Sequence, residues 1–369
     1  MTKGLERILT LTFGAGGNDT NHIGGGWSGD EPGSRWMVGR SSDLWLEHPG
    51  PGHDQILELA LGVPDLPPGH AALRLAVGVR GKAIAQIGLS RGGAVGFHIP
   101  AALVASPGPV RLQFIHPDVH RPKDTQGGSD DRELAFSVRT LRLFRVLPRA
   151  SPTPGRSMPH DQMIMRFESL GDNCEFGLVQ RRLGAEPLGL LRFSFLELPL
   201  LRRGLRSGFD GLGDPASIEV TVAGNDREFV VKETVYNLTY HTFQYEHQMT
   251  LETVRHQQVA RLNFLKRKLT EDLVSGEKIF VIKRFPPLRP EEVLPIYTIL
   301  NEAGANWLLW MVPADDTHPA GTVQKLLPGL LRGYIDRFAP PENAHDLSLD
   351  GWTAVCEAAW RTVGGALGG

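Results

Sequence analysis

A regular alternation of apolar and polar residues runs through the first 146 positions of this 369-residue chain. Side chains of a β-strand point to opposite faces in turn, so such alternation indicates strands with one buried face. Glycine- and proline-containing turns separate the runs, which cover residues 43–47, 55–61, 72–79, 95–99, 110–115 and 134–146. This spacing predicts an all-β antiparallel sandwich, jelly-roll-like, over residues 1–147.

A proline-rich stretch follows and predicts a linker over residues 148–161. Pro148, Pro152, Pro154 and Pro159 lie in a segment of low apolar content without periodicity. Such a composition is typical of a semi-rigid connector, because proline restricts the backbone and little apolar surface is available to bury. The sequence therefore predicts a second domain over residues 162–369.

Helical and apolar patterns in this second part indicate an α/β domain. Leu262, Leu265, Leu269 and Leu273 recur at helical spacing and predict a helix over 251–276. Other predicted elements are a hairpin (217–222 and 228–233), strands (278–283 and 306–312), an intervening helix (290–303) and a helical remainder (321–369). The strand–helix–strand order predicts parallel strands. We expect a mixed sheet with helices on its faces.

Charge and composition exclude several classes of function. The 39 Lys and Arg residues nearly balance 41 Asp and Glu residues, so no basic field favours a nucleic-acid partner. We expect no membrane span, because apolar runs are short, and no cofactor, because Gly24-Gly25-Gly26 lacks the Lys-Ser/Thr of a phosphate loop. Two cysteines provide no disulfide framework, which favours a reducing, cytoplasmic location.

The turn from Ser169 to Gly177 carries the strongest indication of chemistry. It is predicted to connect a strand (163–170) to a helix that begins near Glu175. Asn173 is a favourable N-cap residue, and Cys174 falls in the first turn, where exposed N–H groups lower the pKa of a thiol. Cys174 is thus a candidate nucleophile. The alternative is a buried cysteine that serves only packing.

Four segments of this region resemble a bacterial family of papain-like cysteine peptidases. They are Ser169–Gly177, Leu190-Leu191-Arg192-Phe193, Tyr240-His241-Thr242-Phe243 and Gly276–Arg284, within residues 163–316. The resemblance implies Cys174 as nucleophile and His241 as its partner, with a peptide or other amide as substrate. His247 is a second candidate for the histidine. A papain-like core predicts an antiparallel sheet, whereas residues 278–312 predict a parallel one.

Other polar residues extend this candidate site. Asp315 follows a predicted strand at the edge where ligands bind in such sheets, and could orient His241 as the third member of a triad. The Asn173 amide could help hold an oxyanion. We also predict that Arg192 and Tyr240 contact substrate. The alternatives are a solvated turn for Asp315 and a structural role for Arg192.

The N-terminal part is similar to β-sandwich modules attached to bacterial glycosyltransferases and other surface-polysaccharide proteins. The matching residues are Gly26-Trp27-Ser28, Glu31, Gly33, Trp36, Phe114–Pro117 and Asp131–Leu134, within residues 24–146. This resemblance implies a carbohydrate-related role, with Trp27, Trp36 and Trp45 as a stacking platform. Burial of these indoles in the sandwich core is the alternative. His116, Asp118, His120 and Asp124 form either a divalent-metal site or an irregular loop.

These patterns lead to one main hypothesis and two alternatives. The main hypothesis is a cysteine-dependent acyl-transfer enzyme, peptidase- or amidase-like, linked to surface-polysaccharide metabolism. The first alternative is a non-catalytic carbohydrate-binding or scaffold protein with a glycan partner. The second is a glycosyltransferase-like enzyme that binds a metal through Asp315 and Asp316.

Overall fold

The computed structural model describes residues 3–47, 52–65, 71–125, 129–149 and 154–367. The described chain is rich in sheet, with four separate β-sheets and seven α-helices. One compact unit comprises Leu5–Leu147 and Arg289–Thr298, and the other consists mainly of Pro148–Leu288 and Ile299–Gly369. Residues 150–153 of the predicted linker and 368–369 of the C-terminal tail lie outside the described residues.

The first unit contains nine antiparallel strands, one short helix, α1 (Pro122–Thr125), and the beginning of a longer helix within Arg289–Thr298. One sheet has the order β1-β9-β4-β7, with β2 also paired to β9, and the other has the order β3-β8-β5-β6. The strands are β1 (Leu5–Thr12), β2 (Arg35–Val38), β3 (Ser41–Leu46), β4 (Gln55–Gly62), β5 (Leu73–Val79), β6 (Lys82–Leu89), β7 (Gly93–Ile99), β8 (Val110–Ile115) and β9 (Leu134–Val146).

The two sheets share one apolar core. Leu57 and Leu141 of the first sheet and Val77 and Phe114 of the second belong to the same buried cluster. The alternating runs of the sequence coincide with β3, β4, β5, β7, β8 and β9. Alternation did not identify β1, β2 or β6. In β6 most side chains remain at least partly exposed, so this edge strand lacks a clear apolar face.

Buried charges organise the glycine-rich segment that precedes β2. Arg35 lies 2.6 Å from Asp19 Oδ2 and donates to Ser28 O at 2.6 Å, and both Arg35 and Asp19 are buried. Gly26 has φ +83°, and a Cβ there would come within 1.9 Å of Ser41 O. Glycine at this position therefore allows the segment to pack directly against the start of β3.

The second unit contains two sheets of different type. A five-stranded sheet has the order β10-β14-β15-β17-β16, in which only β16 runs antiparallel to its neighbour. The three-stranded sheet β11-β12-β13 is antiparallel. The strands are β10 (Phe167–Ser169), β11 (Ile218–Ala223), β12 (Glu228–Glu233), β13 (Leu238–Tyr245), β14 (Ile279–Ile282), β15 (Trp307–Pro313), β16 (Val323–Leu327) and β17 (Leu330–Ile335). Both predicted kinds of sheet are thus present.

Helices connect these strands. They are α2 (His160–Ile164), α3 (Glu175–Arg182), α4 (Leu198–Ser207), α5 (Leu251–Ser275), α6 (Pro290–Ala303) and α7 (Leu349–Val363). Helix α6 continues through Pro295, and its residues up to Thr298 belong to the first unit. None of the helices in the described part of the chain combines the length and apolarity needed to cross a bilayer.

The structure corrects two sequence predictions in this unit. The expected strand over 163–170 begins as helix α2, and only Phe167–Ser169 is extended, where it pairs with β14. The remainder from residue 321 was predicted as helical, but it contains β16 and β17 before α7. These short segments depend on tertiary pairing, which outweighs local preference.

Candidate functional site

Cys174 is the N-cap residue of α3 and is half-buried. Its Sγ lies 4.0 Å from Phe193 O. Burial raises the pKa of the Cys174 thiol, and the charge of Arg181 opposes this only partly. Loss of solvent around the sulfur thus shifts the pKa in the direction opposite to the one expected from the sequence.

A buried lysine, Lys283, binds the polar side chains at the start of α3. Asn173 Oδ1 accepts from Glu175 N at 3.0 Å and from Lys283 Nζ at 3.2 Å. Lys283 Nζ also lies 2.7 Å from Glu175 Oε2 and 3.0 Å from Asp172 Oδ2. These contacts join the ends of β10 and β14, and they engage the Asn173 side chain that was predicted to help hold an oxyanion.

His241 lies on β13 and pairs with Glu228 rather than with a residue predicted from the sequence. Its Nδ1 is 2.9 Å from Glu228 Oε2, and its side chain is 65% exposed. Glu228 Oε1 accepts from Phe243 N at 2.8 Å. Within the described chain, no hydrogen bond joins His241 to Cys174, whose sulfur contacts Phe193 O. The hairpin register, with Val230 opposite His241, places Glu228 near the histidine.

Asp315 forms a local turn after β15. Its Oδ1 accepts from Thr317 N and from His318 N, each at 2.9 Å. Hydrogen bonds from Thr317 and His318 hold the pKa of Asp315 well below its usual range. No hydrogen bond or ion pair to His241 is present among the described residues. The role of Asp315 in a triad stays a prediction.

Arg192 and Tyr240 line one cavity of about 340 Å³ in the second unit. Arg192 is buried and donates to Gln180 Oε1 at 3.0 Å, to Glu186 Oε2 at 2.5 Å and to three backbone carbonyls. The Tyr240 hydroxyl donates to Gln258 Oε1 at 3.1 Å, and burial raises the pKa of Tyr240 to about 12. His241 lines the same cavity, whereas Cys174 does not.

The predicted tryptophan platform is not assembled on one surface. Trp27 packs on the sandwich core, with its ring 5.4 Å from that of Phe13, and its Nε1 donates to Asp43 O at 2.7 Å. Trp36 lies on β2, which belongs to the sheet β1-β9-β4-β7, and its Nε1 donates to Glu31 Oε2 at 2.9 Å. Trp45, on β3, is 44% exposed. Of the three, only Trp45 lies on the outward face of the sheet β3-β8-β5-β6.

We call that outward surface the outer face. Its residues alternate with core residues: Ser41, Asp43 and Trp45 on β3, Arg111, Gln113 and Ile115 on β8, Arg74 and Ala76 on β5, and Gln86 on β6, with buried Gly78 at the next alternate position of β5. Trp45 lies opposite Arg111, and Asp43 lies opposite Gln113, which in turn lies opposite Gly78. Arg111 binds both carboxylate oxygens of Asp43, at 2.7 and 3.0 Å.

The residues considered for a metal site make other contacts. His116 is buried, its Nε2 is 2.9 Å from Ser42 Oγ, and burial lowers its pKa. Arg74 binds both carboxylate oxygens of Asp118, at 2.7 and 2.9 Å. In the part of the chain that the structure describes, no group of three or more His, Cys, Asp or Glu side chains is arranged to hold a metal ion.

No family model and no curated protein matches this chain. The structure overlaps loosely with a xylan-binding domain of a Paenibacillus barcinonensis xylanase: identity 12%, TM-score 0.28, 40% of this chain and 100% of that domain covered. A carbohydrate-binding module of the Zobellia galactanivorans laminarinase LamC has 9% identity and a TM-score of 0.22, and the overlap covers 37% of this chain and 97% of that module. A two-module Clostridium thermocellum xylanase fragment has 10% identity and a TM-score of 0.25, and the overlap covers 49% of this chain and 35% of that fragment. These TM-scores are too low to assign a fold family.

Proposed function

We propose that this chain is a carbohydrate-binding protein and that the outer face is its binding surface. The observation that carries the proposal is the row formed by Trp45, Arg111 and Asp43. An indole that is 44% exposed lies there beside an ion pair on the same surface. This corresponds to the first alternative from the sequence, with the tryptophan platform reduced to one residue.

The chemistry of this row suits a sugar ring. A sugar presents C–H groups on its ring faces and hydroxyl groups around its edge, so it needs an apolar flat surface next to hydrogen-bonding groups. Trp45 supplies the flat surface, and the Asp43 carboxylate and Arg111 guanidinium supply acceptors and donors. Because Asp43 and Arg111 bind each other through two contacts, their positions are fixed before a ligand arrives.

Two small residues lie near the centre of the outer face. On β5, Ala76 is partly exposed opposite Ile115 of β8, and Gly78 is buried opposite Gln113. Ile115 is 46% exposed. Four strands spaced about 4.8 Å apart give a surface roughly 14 Å wide. A surface of that width, with an aromatic ring at one side, suits a short stretch of a glycan chain.

The thiol-dependent enzyme remains a separate prediction. In the described structure the sulfur of Cys174 contacts Phe193 O and His241 binds Glu228, and burial raises the pKa of the Cys174 thiol. These observations do not favour a thiol-dependent enzyme over carbohydrate binding.

Two substitutions on the full chain test the proposal. The wild-type protein is screened on an array of neutral and acidic oligosaccharides, and the best binder is titrated by calorimetry. Trp45→Ala removes the stacking ring and is expected to weaken binding about tenfold or more. Gly78→Val adds a side chain beside Gln113, where a Cβ meets nothing closer than Lys82 O at 3.5 Å; circular dichroism verifies that the variant folds, and binding is expected to weaken.

The control is Phe264→Ala, which removes an aromatic ring of equal exposure, 44%, from the other unit. It should leave glycan affinity unchanged. Absence of binding across the array would overturn the proposal. So would a glycan whose affinity is unaffected by Trp45→Ala and Gly78→Val.

A further inference from the structure

The cavity of the second unit combines apolar walls with an excess of positive charge. Its volume of about 340 Å³ is in the range of small-molecule pockets. Three guanidinium groups, from Arg181, Arg192 and Arg261, line it together with one carboxylate, Glu186. Arg181 and Arg192 share that carboxylate, at 2.6 and 2.5 Å. An anion entering the cavity therefore meets a local excess of cations.

Arg261 is the cation available to such an anion. It is exposed, and its guanidinium carbon lies 5.6 Å from the centre of the Tyr240 ring. Within the described residues it has no ion pair and no hydrogen bond, in contrast to Arg192. Stacking on an aromatic face holds a guanidinium in place while its N–H groups stay free to donate.

His241 adds a second polar group to the lining. Glu228 binds its Nδ1 at 2.9 Å, which fixes the orientation of the ring, and Nε2 has no partner within the described part of the chain. The same carboxylate holds Phe243 N at 2.8 Å. Phe243 has φ +55°, a backbone conformation that is unfavourable for an aromatic residue. Glu228 thus places the imidazole and the Phe243 ring at the cavity together.

The rest of the lining is apolar and partly open to solvent. Phe243 is 68% exposed, Leu188 is 58% exposed and Phe264 is 44% exposed, although all three are large apolar side chains. Leu262 and Leu265, on the buried face of α5, complete the apolar surface. Exposed apolar side chains grouped around a concavity are typical of a binding site for an apolar ligand.

We propose that this cavity binds a single amphiphile, an apolar chain that ends in one anionic group, either carboxylate or phosphate. The chain would lie against Leu188, Leu265 and Phe264, and the anion would bind Arg261. The apolar residues cannot bind the anionic group, and Arg261 offers little to the apolar chain. A ligand therefore needs both the chain and the anionic group for affinity. This inference does not depend on carbohydrate binding by the outer face, whose residues belong to the other unit.

Calorimetry with the full chain tests the class of ligand. Decanoate and decyl phosphate are expected to bind, and decan-1-ol, which has the same chain without the charge, is expected to bind about tenfold more weakly. Acetate and inorganic phosphate, which lack the chain, should not bind measurably. Equal affinity for decanol and decanoate would overturn the proposal, as would tight binding of inorganic phosphate alone.

Two variants locate the site. Arg261→Gln should weaken decanoate binding about tenfold or more, and Arg361→Gln, a substitution of another exposed helical arginine, should have no effect. Leu188→Glu places a negative charge at an exposed position of the lining and should abolish binding without affecting folding, which circular dichroism verifies. Unchanged affinity in both cavity variants would overturn the assignment. Binding to anionic phosphatidylglycerol vesicles without binding to monomeric decanoate would also overturn it, in favour of a lipid surface.

Discussion

Stability of the second unit should fall between weakly acidic and neutral pH because of one buried carboxyl group. Glu168 lies on β10, immediately before the turn that carries Cys174, and is 2% exposed. Burial raises its pKa to about 7, although the Lys268 ammonium, 3.9 Å away, opposes the shift. The perturbation we consider is Glu168→Gln, which keeps the shape and removes the titration.

The magnitude follows from the difference between the two pKa values. The usual value of 4.5 applies to the unfolded chain, and the folded value is about 7. Because the folded protein binds this proton more tightly, the contribution of Glu168 to stability is complete below pH 4.5 and is lost as the pH rises through 7. Each pKa unit corresponds to about 1.4 kcal/mol, so the loss amounts to about 3.5 kcal/mol.

Urea unfolding of both proteins between pH 4 and pH 8.5 measures this difference. The free energy of unfolding of Glu168→Gln should equal that of wild type at the acidic end and exceed it by about 3.5 kcal/mol at the alkaline end. Glu271→Gln is the control, because that side chain is 70% exposed, and its difference from wild type should not vary with pH. If Glu168→Gln instead lost stability as the pH rose, Glu168 would be an ionised partner of Lys268, and the reasoning from burial would be refuted.

Two further predictions concern the start of α3. Iodoacetamide should modify Cys174 slowly at neutral pH because burial keeps its thiol protonated, and His241→Ala should not change the rate; fully buried Cys356 is the internal control. A pKa below the usual thiol value that returned toward it in His241→Ala would contradict this and support the papain-like pairing. Lys283→Met should cost about 3–5 kcal/mol in urea unfolding, because it leaves the Glu175 and Asp172 carboxylates without their shared cation. Lys325→Met, at an exposed position, is its control, and an equal effect of the two substitutions would refute the buried ion pair.

Alternation and helical spacing predicted the elements that have one clearly buried face. Strand β8 and helix α6 have the predicted bounds, and α5 ends one residue before its predicted end. Strands β16 and β17 were missed because their exposure patterns show no sustained alternation, and β17 depends on pairing with β15. Strand β10, only three residues long, was predicted too long because α2 buries Met163 and Ile164 on a neighbouring apolar surface.

The candidate site was harder to predict than the fold because side-chain partners depend on packing. The sequence singled out His241, but not Glu228, whose position two residues before Val230 follows from the hairpin register. It could not predict the raised pKa of Cys174, which reflects the burial of the sulfur. The sequence grouped Trp45 with Trp27 because both are tryptophans. In the structure the Trp45 side chain lies on the outer face, whereas the Trp27 side chain packs against the core.

The contacts of Arg192 have a consequence for affinity as well as for stability. Its guanidinium ties the carbonyls of Gly177, Ala185 and Pro187 together, so one side chain joins α3 to the loop that lines the cavity. A lining already held in place loses little conformational entropy when a ligand binds, and more of the contact energy appears as affinity. The residue predicted to touch substrate would then act by keeping the empty cavity in the shape of the occupied one.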